Sequence, residues 1–210
     1  MRQQFQVAAM MALAAMFTLA GYEFIRSAST VLFKTAYGAE NLPLVMAAMP
    51  FVAFAGVAGY SRILTALGPR RTLMVTALGS SMLIFCCYLL VRSGNQTVTP
   101  FLYLLKEIYI VLLIEQYWSF INSQMTSQGA RRFNGPITGI AGLGGALGGT
   151  LVGMTAAEWG TESMLLLAAL SLLPAALVAN FAYLKFGEPE IDHTSSKDGG
   201  MGWGLFRKNR

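Results

Sequence analysis

The stretch SMLLLAALSLLPAALVANFAYLKF, residues 163–186, carries no charged side chain before Lys185. An α-helix needs about 20 mostly apolar residues to cross a hydrocarbon core about 30 Å thick. This stretch is long enough, and an open strand is excluded in lipid because its backbone N–H and C=O groups would remain unpaired. The segment therefore predicts a transmembrane helix.

Five similar segments precede it, and the six predicted spans are residues 7–30, 42–67, 72–91, 100–122, 137–157 and 163–186. No segment alternates apolar and polar residues as the strands of a membrane barrel do. Hydrophobic residues make up 55% of the chain and charged residues 12%, with a mean hydropathy of +0.54, whereas soluble proteins carry about a quarter charged residues. We expect an all-α membrane protein, with a six-helix transmembrane domain over residues 1–186 and a flexible cytoplasmic tail over 187–210.

The N-terminus allows one alternative. Arg2, a run of apolar residues and small residues near Ala20 also match the pattern of a secretory signal peptide. Apolar residues resume after Arg26 and continue to Phe33. Because that run extends beyond the apolar region of a signal peptide, we interpret it as the first span.

Lysine and arginine lie almost entirely on one side of the predicted bundle. If the N-terminus is inside, the cytoplasmic segments contain Arg2, Arg62, Arg70, Arg71, Arg131, Arg132, Lys185, Lys197, Arg207, Lys208 and Arg210. The opposite side contains Lys34 and Arg92. Segments rich in lysine and arginine stay cytoplasmic. We therefore expect a multi-pass protein of the inner (cytoplasmic) membrane with both termini in the cytoplasm.

The sequence lacks the residue patterns of an enzyme or a metal site. His193, the one histidine, lies in the polar tail, and Cys86 and Cys87 lie inside the third span, where thiols pack as small apolar groups. No residues have metal-ligand spacing, and no histidine lies within a span to activate a nucleophile. We expect no catalytic residue, metal or cofactor. The net charge of +5 fits contact with anionic lipid headgroups and does not require nucleic acid.

Charged side chains in the cores of the spans are confined to the first and fourth spans. They are Glu23, Arg26, Lys106, Glu107 and Glu115, and Gln116 follows the last of them. Charges are costly in a bilayer and usually face a bundle interior or a water-filled path. We therefore expect the first and fourth spans to face a cavity and the third and sixth to face lipid. Two explanations remain open: ion pairs that lock the first span to the fourth, or a path for a substrate or proton.

Glycine and proline predict how individual spans pack and bend. Gly145, Gly149 and Gly153 recur at every fourth residue of the fifth span, a pattern that predicts close packing against another helix. Pro136 is expected to begin this span, because a proline N–H is not needed in the first helical turn. Pro50 and Pro174 lie inside the second and sixth spans and are expected to kink them.

Several short motifs resemble one transporter family. They are Tyr22, Ile25-Arg26, Leu32, Gly38-Ala39-Glu40 and Leu42-Pro43, then Trp118-Ser119-Phe120, Ala130-Arg131-Arg132-Phe133 and the glycine-rich fifth span. With these motifs the chain resembles the N-terminal six-helix half of a major facilitator superfamily-type transporter. It is most similar to the ATP/ADP translocase-like (nucleotide transporter) branch.

The chain also departs from this family. In the cytoplasmic loop after the second span, Gly68, Arg70 and Arg71 fit the family pattern, but Thr65 stands where an aspartate is expected. Arg131 and Arg132 are predicted to lie in the next cytoplasmic loop. The family has about twelve helices and a central path between two halves. A six-helix chain with that fold would therefore have to be completed by a second chain.

The resemblance implies a half-transporter for a small solute, acting as a homodimer or with a second membrane chain. A nucleotide-like solute is one possibility, although the cores of the spans hold two basic residues against three acidic ones, and nucleotide phosphates prefer a basic surplus. The alternative is a non-transporting accessory or scaffold subunit of a larger membrane complex. Its charged residues would all be paired, whereas those of a transporter would include unpaired groups facing a cavity.

The predicted topology can be tested with reporter fusions. We expect a fusion at Gly94 to report from outside the cytoplasm and a fusion at Lys197 to report from inside it, because three spans separate the two sites. If both reporters were active on the same side, the topology would be wrong.

Overall fold

The computed structural model describes residues 1–188, and their regular structure is entirely helical. The α-helices are α1 (Arg2–Tyr37), α2 (Leu42–Ala47), α3 (Met49–Leu67), α4 (Pro69–Arg92), α5 (Thr99–Gln124), α6 (Ser127–Trp159) and α7 (Ser163–Phe186). Short 3-10 turns at Ala39–Asn41 and Gln96–Val98 lie in the connections that follow α1 and α4. The predicted tail lies outside the described residues, apart from Gly187 and Glu188.

Among the described residues, six helices are long and apolar enough to cross a membrane, namely all except the short α2. The prediction of an all-helical, multi-pass membrane protein is confirmed to that extent. One end of the bundle contains the start of α1 and the turn at Gly68, and we call it the Gly68 end. The other end contains the turn at Gly94, and we call it the Gly94 end.

Proline determines one helix boundary and fails to determine another. The second predicted span is divided into α2 and α3 at Ala48, because Pro50 occupies the first turn of α3, where a missing N–H is tolerated. The prediction that Pro136 begins the fifth span is wrong. Helix α6 starts at Ser127, where the Thr126 side chain caps it by accepting the backbone N–H of Gly129 at 3.2 Å.

This earlier start corrects the predicted loops. Arg131 and Arg132 lie on α6, and Arg70 and Arg71 lie in the first turn of α4, whereas all four were predicted in cytoplasmic loops. Of the five residues predicted in cytoplasmic loops, only Gly68 lies outside a helix. Its φ is 78°, a value that a residue with a side chain rarely adopts. The connections are shorter than expected because the helices continue past their apolar segments.

Helix α1 occupies the centre of the bundle and packs against α5, α6 and α7, while α7 also packs against α4. The expectation that the sixth span mainly faces lipid is wrong, because 44% of the apolar window of α7 is buried. Its alanines form the buried side, and they are Ala168, Ala169, Ala175, Ala176, Ala179 and Ala182. The opposite side of α7, with Leu177 and Phe181, is exposed.

Close approach between α1 and α6 depends on glycine. A Cβ atom added at Gly148 would lie 2.6 Å from the carbonyl oxygen of Ala20, and one added at Gly144 would clash with the carbonyl oxygen of Met16. Both distances are too short for a real Cβ atom. The backbones of α1 and α6 can therefore meet only while these two positions lack side chains.

The glycine stripe predicted for this role lies on a different side of α6. Cβ atoms added at Gly145, Gly149 or Gly153 would meet no atom within 4 Å among the described residues. Each helical residue is rotated by about 100° from the one before it, so the stripe one position along the chain points away from α1. The prediction that these three glycines pack against another helix is therefore wrong within the described bundle, where Gly144 and Gly148 make that contact instead.

A matched pair of substitutions tests this assignment. We expect Gly148→Ala to destabilise the bundle by about 1–3 kcal/mol, because the new methyl group must displace the backbone of α1. Gly149→Ala adds the same atoms to the open side and should leave the melting temperature unchanged or slightly raised. Thermal unfolding in detergent would measure both variants. Equal losses would show that the packed side of α6 has been assigned incorrectly.

Candidate functional site

The candidate site lies along the neighbouring helices α1 and α5. In the core, Thr18 and Tyr117 share a hydrogen bond of 2.9 Å between their hydroxyl groups, and both side chains are at most 2% exposed. The Thr18 hydroxyl also donates to the carbonyl oxygen of Ala14 at 3.0 Å. This buried bond fixes the register of α1 against α5 in the middle of the bundle.

Nearer the Gly94 end, a second contact joins the same helices. The Tyr22 hydroxyl donates to the carboxylate of Glu107 at 3.4 Å. Lys106 forms an ion pair with the same carboxylate, and its Nζ atom lies 4.1 Å from the ring centroid of Tyr103. The Lys106 side chain is 4% exposed and that of Glu107 is 34% exposed. The lysine is therefore held inside, while the carboxylate reaches the open side.

The remaining two charges of this region pair within α1. Arg26 donates to the Glu23 carboxylate, a contact between residues three positions apart on one helix. The Arg26 side chain is 55% exposed and that of Glu23 is 21% exposed. Like Glu107, this pair reaches the surface of the bundle.

The expected ion pairs between the first and fourth spans do not form. Glu23 pairs with Arg26 and Lys106 pairs with Glu107, each within its own helix. The i,i+3 spacing of Glu23 and Arg26 places their charges within reach on one helix, and the Lys106 side chain reaches the carboxylate of its chain neighbour Glu107. The bond between Tyr22 and Glu107 therefore joins the two helices where a salt bridge was predicted.

The hydroxyl groups of this site were missed as functional candidates in the sequence. Thr18, Tyr22 and Arg26 are spaced by four residues and so lie on one side of α1. That spacing was available in the sequence as a signal. The charged residues alone directed attention to α1 and α5 but not to the hydroxyl groups that connect the two helices.

An open groove lies beside this cluster, between α3 and α5. It has a volume of about 170 Å³ and is lined on α3 by Met49, Ala53 and Val57 and on α5 by Glu107, Ile108, Val111 and Leu112. Glu107 is the one charged residue among these. The groove therefore presents a single carboxylate in otherwise apolar surroundings, at the level where Tyr22 and Lys106 meet it.

Farther toward the Gly68 end, Glu115 lies two turns beyond Glu107, about 12 Å along α5. Its side chain is exposed, and it forms no ion pair with any residue in the described part of the chain. Glu107, Val111 and Glu115 are spaced by four, so the two carboxylates lie on one side of the helix. Glu115 is thus the unpaired member of the predicted set of charges.

Its neighbour Gln116 points inward and is 3% exposed. The Nε2 atom of Gln116 donates to the Thr76 hydroxyl at 3.2 Å, and the Tyr183 hydroxyl reaches the backbone carbonyl oxygen of Gln116 at 3.5 Å. The Oε1 atom is buried and has no hydrogen-bond partner among the described residues. Gln116 connects α5 to α4 and α7 rather than lining the open side.

The turn at Gly68 is connected to the end of α7. The backbone N–H of Arg70 donates to the carboxylate of Glu188 at 3.3 Å, and its guanidinium donates to the Asn180 side chain at 2.8 Å. Among residues 1–188, the hydrogen bonds of the Thr65 side chain go only to backbone carbonyl oxygens of its own helix. Among the described residues, no group of His, Cys, Asp and Glu side chains could hold a metal ion.

A double-mutant cycle tests the contact between Tyr22 and Glu107. We expect Tyr22→Phe and Glu107→Gln to be coupled by at least about 0.5 kcal/mol, because residues in contact are not additive. Glu23→Gln with Lys106→Met should be additive within about 0.5 kcal/mol, because these side chains pair with different partners. Thermal stability provides both readouts. A larger coupling between Glu23→Gln and Lys106→Met would show that the predicted salt bridge between the helices does form.

Comparisons with known proteins do not assign a family to this arrangement. No family model matches the chain, and no curated protein or solved structure shows significant similarity to it. The resemblance to a major facilitator half therefore remains a prediction based on the sequence motifs.

Proposed function

We propose that this chain is a membrane transport protein of the inner membrane, acting as one half of a transporter for a small polar solute. The supporting observation is a row of polar groups at membrane depth on the open side of α1 and α5. It runs from Glu23 and Arg26 through Tyr22 and Glu107 to Glu115. Polar groups are retained inside a membrane mainly where they face a solute path or each other.

The helices on either side of this row, α3 and α6, have exposed surfaces that a second chain could contact. No residue of α3 is buried within the described bundle, where α3 contacts mainly α4, α5 and the short α2. Helix α6 packs mainly against α1 and exposes Leu143, Leu147 and Met154. Both flanking helices thus have apolar surfaces available for contact with another copy or another subunit. Such contact would enclose the polar row between two halves.

The charges bear on the class of solute. Arg26 and Lys106, the basic groups of the row, are each neutralised by a carboxylate on the same helix. A site for a nucleotide would need basic groups free to contact phosphate oxygens. Glu115 instead remains as an unpaired carboxylate within the described residues. We therefore favour a neutral or cationic solute, or a proton-coupled one, over a nucleotide.

The second candidate is a scaffold subunit without transport activity. It is favoured by the fact that four of the five charges in the cores of the spans are paired. Under this alternative, the pairs would only reduce the cost of burying charge, and α3 and α6 would dock against other membrane subunits. Glu115 separates the two hypotheses, because a scaffold has no use for an unpaired carboxylate at membrane depth.

Transport can be tested in proteoliposomes loaded with a panel of labelled amines, amino acids and sugars. We expect uptake of at least one compound, and a loss of about tenfold or more in Glu115→Gln, typical of removing an essential proton-transfer group. Glu158→Gln is the matched control, because this exposed carboxylate lies near the end of α6, and it should transport normally. Absence of uptake in the wild-type protein would favour the scaffold. Equal uptake by all three proteins would keep the transport function but remove Glu115 from the solute path.

A further inference from the structure

Two adjoining recesses lie at the Gly68 end of the bundle, where α1 and α6 begin. The first has a volume of about 340 Å³, and its lining includes Gln4, Thr126, Gln128, Arg131 and Arg132. The second has a volume of about 430 Å³ and lies beside Arg2, Phe5 and Gln6. Met1, Arg132 and Phe133 line both. Because they share these residues, the two recesses adjoin, and we call them together the depression.

The polar part of the depression has a positive charge that suits an anion. Arg131 and Arg132 line it, and the Thr126 cap places the start of α6 there, where the helix dipole is positive. No acidic residue occurs before Glu23 or between Glu115 and Glu158. Positive charge therefore accumulates here without a carboxylate from the same segments of α1 or α6.

Contacts within the depression hold its shape. The Gln4 amide donates to the Thr126 hydroxyl at 3.3 Å and so connects α1 to the cap of α6. Arg132 lies over the Phe133 ring, with its guanidinium carbon 5.8 Å from the ring centroid. Its Nη1 atom lies 3.5 Å from the sulfur of Met1. Arg132 thus stands on the boundary between the two recesses.

The second part of the depression is bordered by aromatic side chains. The rings of Phe5 and Phe133 pack at a centroid distance of 6.3 Å and an angle of 60°. Phe5 is 61% exposed, so much of its ring is available for contact with an acyl chain. Phosphate-binding groups and an apolar border therefore lie next to each other, at the end of two membrane-spanning helices.

We propose that this depression is a binding site for one anionic phospholipid, with the phosphate beside Arg131 and Arg132 and an acyl chain along Phe5 and Phe133. Basic pockets between transmembrane helices on the cytoplasmic side recognise such headgroups. Arginine suits a phosphate because its planar fork donates two parallel hydrogen bonds. A free phosphate shares the headgroup chemistry but makes no use of the aromatic border.

The test uses the full chain in phosphatidylcholine nanodiscs titrated with dioleoylphosphatidylglycerol, with bound lipid counted by native mass spectrometry. We expect the double variant Arg131→Gln, Arg132→Gln to weaken binding by about tenfold to thirtyfold. The matched control is Arg62→Gln, Arg71→Gln, which removes the same charge at the same end but outside the depression, and it should change binding less than about twofold. Equal losses in both variants would reduce the effect to diffuse electrostatic attraction and overturn the proposal.

Two further measurements on the wild-type protein do not depend on folding of the variants. A phosphatidylglycerol with a photoreactive group in its acyl chain should label Phe5 and Phe133 preferentially. Even labelling over the exposed sides of α3 and α7 would overturn the site. Inorganic phosphate at the same concentrations should not displace the lipid or raise the melting temperature. If inorganic phosphate raised the melting temperature as much as the lipid does, the ligand of this site would be a free anion and not a phospholipid.

Discussion

Close contact between the backbone of α1 and its neighbours is the constraint on which the rest of the bundle depends. In lipid, helices gain little from burying apolar side chains, so association depends on van der Waals packing and interhelical hydrogen bonds. Gly144 and Gly148 of α6 allow close contact with one side of α1, and Gly21 on another side of α1 approaches Ser171 of α7. Because small residues line these contacts, α6 and α7 can approach the same central helix. The third neighbour, α5, is held by hydroxyl contacts at Thr18 and Tyr22.

This arrangement explains why one side of the bundle is polar. The small residues of α1 are used for contacts with α6 and α7, so the side of α1 that includes Tyr22, Glu23 and Arg26 remains beside α5. Helix α3 packs at the edge of α5 and leaves Glu107 and Glu115 accessible. The open polar side is therefore a consequence of where the small residues are placed. Flanking apolar surfaces on α3 and α6 then leave room for a second chain.

The sequence predicted the six spans because each depends on a local property, a run of apolar residues. The charged residues that it singled out lie on α1 and α5, which the bond between Tyr22 and Glu107 brings together. It did not predict which glycines pack against α1. Gly144 and Gly148 are four residues apart, and so are the members of the series that starts at Gly145. Only the position of α1 selects between the two series, and that position is a tertiary property.

The pairing of charges was unpredictable for a related reason. Glu23, Arg26, Lys106 and Glu107 offer each acid a partner on its own helix and another on the neighbouring helix, and apolar periodicity does not distinguish these possibilities. The helix start at Ser127 was missed because polar residues before Pro136 resemble a loop, although Thr126 is a good cap. The depression beside Arg131 and Arg132 exists only because that early start brings α6 alongside the first turns of α1.

The central claim is that the polar side of α1 and α5 faces water within the membrane. Aqueous thiol labelling tests it directly, in a background where Cys86 and Cys87 are replaced by serine and alanine. A membrane-impermeant maleimide should react rapidly with Glu115→Cys and at least about tenfold more slowly with Leu177→Cys on the lipid-facing side of α7, because thiolates form only where water is present. Equally slow labelling at both positions would show that Glu115 faces lipid or a dry interface, and would contradict the account.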